Sequence, residues 1–255
     1  MDGLRRVLAL LGYAVHRWPA NRFDAMGDAL ALLAASGYRP RVIVDAGAHL
    51  GRWARLAHST FPEALLHLIE PQPRCHSALG ALAREIGRVT IHRVAVTEPG
   101  IASVWMIGGD AADGTGGRIT RIDAADHERA ATAAAVAAGV ECPAATLDAL
   151  LADSVSREDR ALLKLDLEGH EMPALGGARR LLDAVEVVVA EVPLFEIDGV
   201  ARPVLADVQG FLRERGFDLY DVAALSGRPR DRRLRLADLV FARRDSALCA
   251  DRSWR

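Results

Sequence analysis

The segment Val42-Ile-Val-Asp45-Ala-Gly47-Ala-His49-Leu-Gly51 decides the fold of this chain. It begins with a short apolar run typical of a buried strand, and residues 51–60 continue with a helical pattern. The glycines between them permit a tight turn that brings backbone close to a ligand, and the following helix presents free N–H groups at its start. The D-x-G-x-x-x-G spacing differs from the G-x-G-x-x-G fingerprint of dinucleotide-binding proteins. The segment therefore predicts a strand–turn–helix unit at the edge of a ligand site.

Outward from this unit, strands and helices alternate along the chain. The patterns predict helices near residues 3–15, 23–36, 51–60, 73–85, 173–183 and 203–215, and strands at residues 42–45, 65–70, 89–96, 161–167, 185–192, 219–224 and 236–243. Residues 101–107 have an extended pattern that we expect to pair as a hairpin with the strand before it. Strands separated by helices of about 10–15 residues predict βαβ units and a mostly parallel sheet.

We therefore expect an α/β fold with a doubly wound, mostly parallel sheet. Its domain would cover residues 41–245, after an N-terminal helical extension over residues 1–40 and before a polar tail over residues 246–255. Residues 108–140 interrupt the alternation with a segment rich in Gly, Asp and Ala. A lid over the site and a solvated loop are equally compatible with such an insertion.

A row of charges ends one predicted strand, in Lys164-Leu-Asp166-Leu-Glu168-Gly-His170-Glu171. Because side chains alternate along a strand, Lys164, Asp166 and Glu168 should share one face. Central strands of parallel sheets are normally apolar on both faces, so such charges must be paired, solvated or used in chemistry. Lys164 is also the only lysine of the chain. The pattern indicates either a buried ion-pair network that fixes the sheet or an active site.

A second acidic position ends the strand that follows the glycine turn. Glu70 closes the run Leu68-Ile-Glu70-Pro71. In nucleotide-binding sheets an acidic residue at this place accepts hydrogen bonds from ribose hydroxyls. The alternative is that Glu70-Pro71 only stops the strand. Together with the glycine turn, Glu70 predicts an adenosine-containing ligand without identifying it.

Composition excludes several classes of protein. Of the 255 residues, 51% are hydrophobic, which is sufficient for a substantial core, and 26% are charged. The net charge of -2 gives no electrostatic reason to expect nucleic acid or an acidic membrane as partner. The three cysteines are scattered without a C-x-x-C spacing, which argues against disulfides or a zinc site and favours a reducing cytoplasm. The apolar part of residues 1–18 is too short to span a bilayer. We expect a helix there that caps the pocket or joins two copies as a homodimer, and the sequence leaves both open.

Five segments together resemble the FkbM-type methyltransferases. They are VIVDAGAHLG, LIEPQP, ATLDALL, LLKLDLEGHEMPALGGA and VVVAEV, in that order, within residues 42–193. The resemblance implies a class I, Rossmann-like fold that uses S-adenosylmethionine. Members commonly methylate hydroxyl groups of sugars or polyketide-type natural products.

The resemblance also assigns residues of the chain to the site. The cofactor loop would contain Asp45, Gly47, His49 and Gly51, with Glu70 as the ribose contact, and His49 stands where the family usually carries Asn. The signature positions of the family correspond to Asp148, Lys164, Asp166, Glu168, Gly169 and Glu171.

Methyl transfer from a sulfonium to an oxygen sets the chemical requirement of such a site. Alignment of nucleophile, methyl and sulfur supplies much of the catalysis, but an alcohol must also lose its proton to a base or be activated by a metal. Asp166, Glu168 and Glu191 could form a Mg²⁺ site with oxygen ligands. Alternatively, Asp166 or His170 takes the proton directly, with Lys164 beside it. A third interpretation is that the carboxylates only share charge with Lys164.

The sequence thus predicts an S-adenosylmethionine-dependent O-methyltransferase that acts on a hydroxylated small molecule in the cytoplasm, without a nucleic acid or membrane partner. Two alternatives are a nucleotide-dependent oxidoreductase on a similar sheet and a non-catalytic methyltransferase-like binding module. The missing G-x-G-x-x-G and the charged strand count against the oxidoreductase. The intact glycine turn and Glu70 count against the binding module.

Overall fold

The computed structural model describes residues 22–107, 118–120, 139–196, 203–228, 231–251 and 253. The helix predicted near residues 3–15, with its capping or dimer-forming role, and most of the insertion at 108–140 lie outside the described residues. Among the residues that the structure describes, no helix has the length and hydropathy that crossing a bilayer requires.

Helices and strands alternate in the described chain as the sequence predicts. The helices are α1 (Arg22–Ala35), α2 (Arg52–Thr60), α3 (Pro73–Ile86), α4 (Leu147–Leu151), α5 (Glu171–Gly176), α6 (Leu181–Ala184) and α7 (Leu205–Glu214). The strands are β1 (Val42–Ala46), β2 (Leu65–Ile69), β3 (Val89–His92), β4 (Ala95–Val96), β5 (Ser103–Ile107), β6 (Arg118–Thr120), β7 (Val140–Ala145), β8 (Ala161–Leu165), β9 (Val185–Pro193), β10 (Phe217–Gly227) and β11 (Leu234–Arg243). Two short 3₁₀ turns cover Arg157–Asp159 and Ala247–Cys249.

Seven of the strands form one sheet in the order β10-β11-β9-β8-β1-β2-β3. The five strands β9, β8, β1, β2 and β3 run parallel to one another. The strand β11 is antiparallel to both β9 and β10. The prediction of a mostly parallel α/β sheet is confirmed. Because parallel strands end at the same edge, the polar residues that follow β1, β2, β8 and β9 meet there.

The remaining strands form a second sheet of four strands, in the order β4-β7-β5-β6. The prediction of one strand over residues 89–96 with residues 101–107 as its hairpin partner is wrong. The run divides at Arg93, β4 pairs with β7, and β5 pairs with β6 and β7. His92 and Arg93 stand between the two apolar parts of this segment, but both parts are compatible with a strand, so the pattern did not reveal the division.

Two apolar clusters cover the two faces of the large sheet. On one face, α1, α2 and α3 contribute buried side chains such as Leu30, Trp53 and Leu79. On the other face, α4 to α7 contribute buried side chains such as Leu175 and Leu212. The first helix of the described chain is therefore part of the core, since Leu30 is fully buried.

The helix predicted over residues 173–183 is divided into α5 and α6. A Cβ at Gly177 would lie 2.1 Å from the carbonyl oxygen of Thr97, so this glycine packs directly on backbone. The helix ends at the same place, which the sequence pattern did not predict.

A pair of histidines on β2 and β3 makes the stability of the fold depend on pH. His67 Nδ1 and His92 Nε2 lie 3.0 Å apart. Burial and the neighbouring His92 lower the pKa of His67 from 6.5 to about 4. As the pH falls, the unfolded chain therefore takes up a proton before the folded chain does, and stability is lost between these two values.

We expect the free energy of unfolding to fall by about 1–2 kcal/mol through His67 between roughly pH 6.5 and 4.5, after allowance for screening by solvent. Urea denaturation of the wild type and of His67→Leu at both pH values measures this contribution. The variant should lose less stability than the wild type over that range. Equal losses would contradict the assignment to His67.

Candidate active site

Lys164 lies at the centre of the charged edge. It occupies β8 and is only 5% exposed. Its Nζ lies 2.9 Å from Asp45 Oδ1 and 3.6 Å from Asp166 Oδ2, and it donates a hydrogen bond of 3.0 Å to the carbonyl oxygen of Gly47. The lysine therefore joins the end of β1, the glycine turn and Asp166 in one network.

Asp45 is the most deeply buried carboxylate of this network. Its exposure is 0%, and its Oδ2 atom has no hydrogen-bond donor among the described residues. Burial raises the pKa of Asp45, and the charge of Lys164 partly offsets that rise. A buried carboxylate oxygen without a donor is unusual in a folded protein and points to a donor on a ligand or a water.

Contacts within the protein require glycine at two positions of the glycine turn. Gly47 has φ +84°, and a Cβ there would lie 2.0 Å from the carbonyl oxygen of Asp166. Gly51 has φ +77°, and a Cβ there would lie 2.4 Å from Leu82 Cδ2. The sequence attributed both glycines to close approach of a ligand, whereas the structure shows that protein atoms already occupy the space of each Cβ.

His49 has φ +47°, in the left-handed region that Asn adopts more readily than most residues. This backbone requirement explains why Asn suits the position. His49 meets the same requirement, so the substitution leaves the shape of the turn intact.

Gly47→Ala should destabilise the protein much more than Gly37→Ala. Gly37 has nearly the same φ, +83°, but no atom lies within 4 Å of its Cβ position. Gly37→Ala should cost only the left-handed strain of about 1–2 kcal/mol, whereas Gly47→Ala adds a clash with backbone that cannot move aside. Urea denaturation of both variants measures the difference. Similar losses of unfolding free energy would mean that the contact with Asp166 is unimportant.

Glu70 fastens the glycine turn to the end of β2. It is 2% exposed, its Oε2 accepts the N–H of His49 at 2.8 Å, and its Oε1 accepts the N–H of Gln72 at 2.9 Å. Each carboxylate oxygen can accept a further hydrogen bond. The ribose contact stays a prediction, and the carboxylate is already held in a fixed position for it.

The residues after β8 leave the strand and form a turn. Asp166 keeps a side chain that is 24% exposed, Glu168 has φ +54° and Gly169 has φ +96°. The predicted alternation of Lys164, Asp166 and Glu168 on one face assumes a strand that reaches Leu167. Because β8 ends at Leu165, the direction of Glu168 no longer follows from strand geometry.

His170, the second candidate base of the sequence analysis, is buried. The ring is 7% exposed, and its Nε2 lies 3.0 Å from Thr97 Oγ1, next to the second sheet. The physical reason is the turn itself, which directs the residue before α5 inward. A role for His170 as catalytic base stays a prediction.

A small cavity of about 30 Å³ lies beside Lys164, and that volume is enough for about one water molecule. Its lining consists of Met26, Trp53, Lys164, Leu165, Asp166, Val189, Glu191 and Asp238. The indole N–H of Trp53 has no acceptor among the described residues.

Sequence reasoning missed Asp238 among the residues of the cavity. It is 4% exposed and lies opposite Glu191 in the register of β11 and β9. A lone Asp within the apolar run Leu236-Ala-Asp238-Leu-Val-Phe241 was the available signal. Its neighbour across the sheet could not be known without the antiparallel register.

The predicted Mg²⁺ ligands do not come together as a metal site. Within the described part of the chain, no three His, Cys, Asp or Glu side chains are grouped so that they could hold a metal ion. Asp166 and Glu191 line the cavity, but Glu168 does not. These residues do not fit the metal, and we assign no step of the reaction to one.

The fold and the site together define a class I methyltransferase. The sheet is mostly parallel, with one antiparallel strand inserted next to its edge, and the polar residues cluster where β1, β2 and β8 end. The chain belongs to the FkbM family, because the methyltransferase FkbM domain matches residues 45–219. This confirms the family that the sequence motifs suggested.

Solved structures share the fold at low sequence identity. A sarcosine dimethylglycine methyltransferase, so described provisionally, from Galdieria sulphuraria is 12% identical, with a TM-score of 0.51 and coverage of 95% of this chain and 98% of that chain. The methyltransferase FkbM from Methylobacillus flagellatus KT is 15% identical, with a TM-score of 0.46 and coverage of 78% of this chain. The match spans 43% of that FkbM chain, less than half of its length. None of the functionally curated proteins matches significantly.

Membership of this family implies S-adenosylmethionine as methyl donor, and the residues present fit it. The unpartnered oxygen of Asp45 suits the ammonium group of the cofactor, and Glu70 retains capacity for ribose hydroxyls. The turn at Gly47 lies between these two carboxylates in the chain. The same turn is in contact with Asp166.

Proposed function

We propose that the protein transfers a methyl group from S-adenosylmethionine to a hydroxyl group of a small molecule, either a sugar or a polyketide-type natural product. The observation that carries the proposal is the position of Asp166. Its backbone touches the glycine turn at Gly47, and its side chain is partly open and lines the cavity beside Lys164.

When bound, S-adenosylmethionine supplies an electrophilic methyl group on a sulfonium. The Asp166 carboxylate would accept the proton of the acceptor hydroxyl as general base, which makes the hydroxyl oxygen nucleophilic toward that methyl group. Lys164 fixes the position of that carboxylate from 3.6 Å and holds the glycine turn through the carbonyl of Gly47. The network thus aligns the base with the cofactor turn, which an in-line displacement requires.

Calorimetric titration with S-adenosylhomocysteine tests the cofactor, with NAD in the same buffer as control. We expect binding of the first in the micromolar range and none of the second. Binding of NAD alone would instead favour the oxidoreductase alternative, and binding of neither would contradict the proposal.

Transfer of a labelled methyl group to hydroxylated sugars and polyketide-type alcohols tests the reaction. The assay is run with EDTA and with Mg²⁺, so that it also decides the metal dependence. Transfer to amine acceptors but to no hydroxylated one would contradict O-methylation. Binding of S-adenosylhomocysteine without transfer to any acceptor would favour a binding module.

A further inference from the structure

Glu171 is hydrogen-bonded to the backbone of the turn that follows β8. It is 2% exposed, and its Oε1 accepts the N–H groups of Leu167 at 2.9 Å and of Gly169 at 3.2 Å. The carboxylate therefore faces the backbone of the turn and takes no direct part in the cavity, which it does not line.

The turn has a backbone that needs such support. Glu168 and Gly169 are both left-handed, with φ +54° and +96°. A non-glycine residue in this region is strained, so the conformation of Glu168 persists only where the surroundings fix it. Backbone N–H groups that converge in this way form a site for a hydrogen-bond acceptor, and the acceptor here is Oε1 of Glu171.

The same turn is in contact with the cofactor loop. The N–H of Asp166 donates to the carbonyl of Ala46 at 3.1 Å, and the carbonyl of Asp166 fills the space beside Gly47. On the other side, His170 contacts Thr97. A shift of the turn would therefore move the carboxylate of Asp166 and displace the glycine turn together.

We propose that Glu171 is a positioning residue, whose carboxylate fixes the backbone of residues 166–170 and thereby the placement of both Asp166 and the cofactor loop. The inference rests on the proposed function for the identity of the cofactor. Glu171 touches neither the cofactor nor the acceptor in this role.

Three variants separate positioning from general stability. Glu171→Ala removes the acceptor of both N–H groups, and Glu171→Gln keeps a carbonyl oxygen that can accept them. Asp159→Ala is the matched control, because Asp159 Oδ2 likewise accepts two hydrogen bonds, from the N–H of Ser156 at 2.8 Å and from the Ser156 hydroxyl at 2.9 Å. It removes a comparable local interaction, in the 3₁₀ turn that precedes β8.

Glu171→Ala should weaken the Kd for S-adenosylhomocysteine about tenfold or more, because misplacement of binding groups is costly. Glu171→Gln should restore the Kd to within about threefold of the wild type, since a neutral carbonyl still makes both hydrogen bonds. Asp159→Ala should lower Tm and leave the Kd unchanged. A wild-type Kd for Glu171→Ala, or an equal loss in Asp159→Ala, would overturn the inference.

Amide hydrogen exchange gives a second readout that needs no cofactor. The amides of Leu167 and Gly169 should exchange faster in Glu171→Ala than in the wild type and the Gln variant. If the wild type fails to bind S-adenosylhomocysteine, the proposed function fails. Unchanged exchange at both amides would instead overturn the role of Glu171.

If Glu171→Ala does not fold, Glu171→Asp replaces it. The Asp side chain is shorter by one methylene group, so its carboxylate does not reach the backbone N–H groups of the turn. A wild-type Kd for that variant would overturn the inference.

Discussion

We expect Asp166→Asn to reduce methyl transfer by about 10²–10⁴-fold, the usual contribution of a general base, and to leave the Kd for S-adenosylhomocysteine within about threefold of the wild type. The amide cannot take a proton from the acceptor hydroxyl, but it is isosteric with the carboxylate. Its backbone contacts with Ala46 and Gly47 are unaffected by the substitution. The measurement is labelled methyl transfer to the acceptor identified by the screen, together with calorimetric titration.

The control for Asp166→Asn is Asp153→Asn, a carboxylate whose side chain is 86% exposed and that pairs with Arg180. It should change neither quantity. Retained turnover in Asp166→Asn would remove Asp166 from the role of base. Loss of S-adenosylhomocysteine binding together with turnover would instead assign it a structural role in the cofactor site.

We expect Lys164→Met to lower the free energy of unfolding by about 3–5 kcal/mol, because it leaves the carboxylate of Asp45 buried without its cation. Asp45 is 0% exposed and has its nearest positive charge at 2.9 Å. The double variant Lys164→Met with Asp45→Asn should regain most of the loss, since no uncompensated charge remains. Urea denaturation of the single and double variants tests both expectations.

Arg55→Met provides the comparison for Lys164→Met. Arg55 and Glu85 also form an ion pair, but their side chains are 57% and 58% exposed. Loss of this pair should destabilise the protein far less than Lys164→Met does, because water screens both charges. If the two single variants were equally destabilised, burial would not be the reason for the importance of Lys164.

The sequence predicts the part of the site that depends on strand geometry. The sequence placed Asp45 and Lys164 at the ends of two buried strands, and the structure shows that they are paired neighbours in the register of β1 and β8. Glu70 follows from the same rule, since it comes directly after β2. These positions are local consequences of where parallel strands end.

The rest of the site depends on contacts between distant segments. The directions of the Glu168 and His170 side chains could not be predicted, because the strand ends before both residues and a left-handed turn follows it. Asp238 enters the cavity through antiparallel pairing with β9, and the second sheet pairs β4 with a strand more than forty residues later. Neither pairing leaves a periodic pattern in the sequence, since register is decided in three dimensions.

The two sides of the cavity differ in how far their residues can be changed by mutation. On its β1 and β8 side, the packing at Gly47 leaves no room for even one added methyl group. On the other side, Glu191 and Asp238 stand on β9 and β11, and β11 begins after residue 219, where the match to the family ends. If the proposed function holds, altered acceptor range is therefore best sought at Asp238 and its neighbours on β11, because β11 lies beyond the segment that defines the family whereas β9 lies within it.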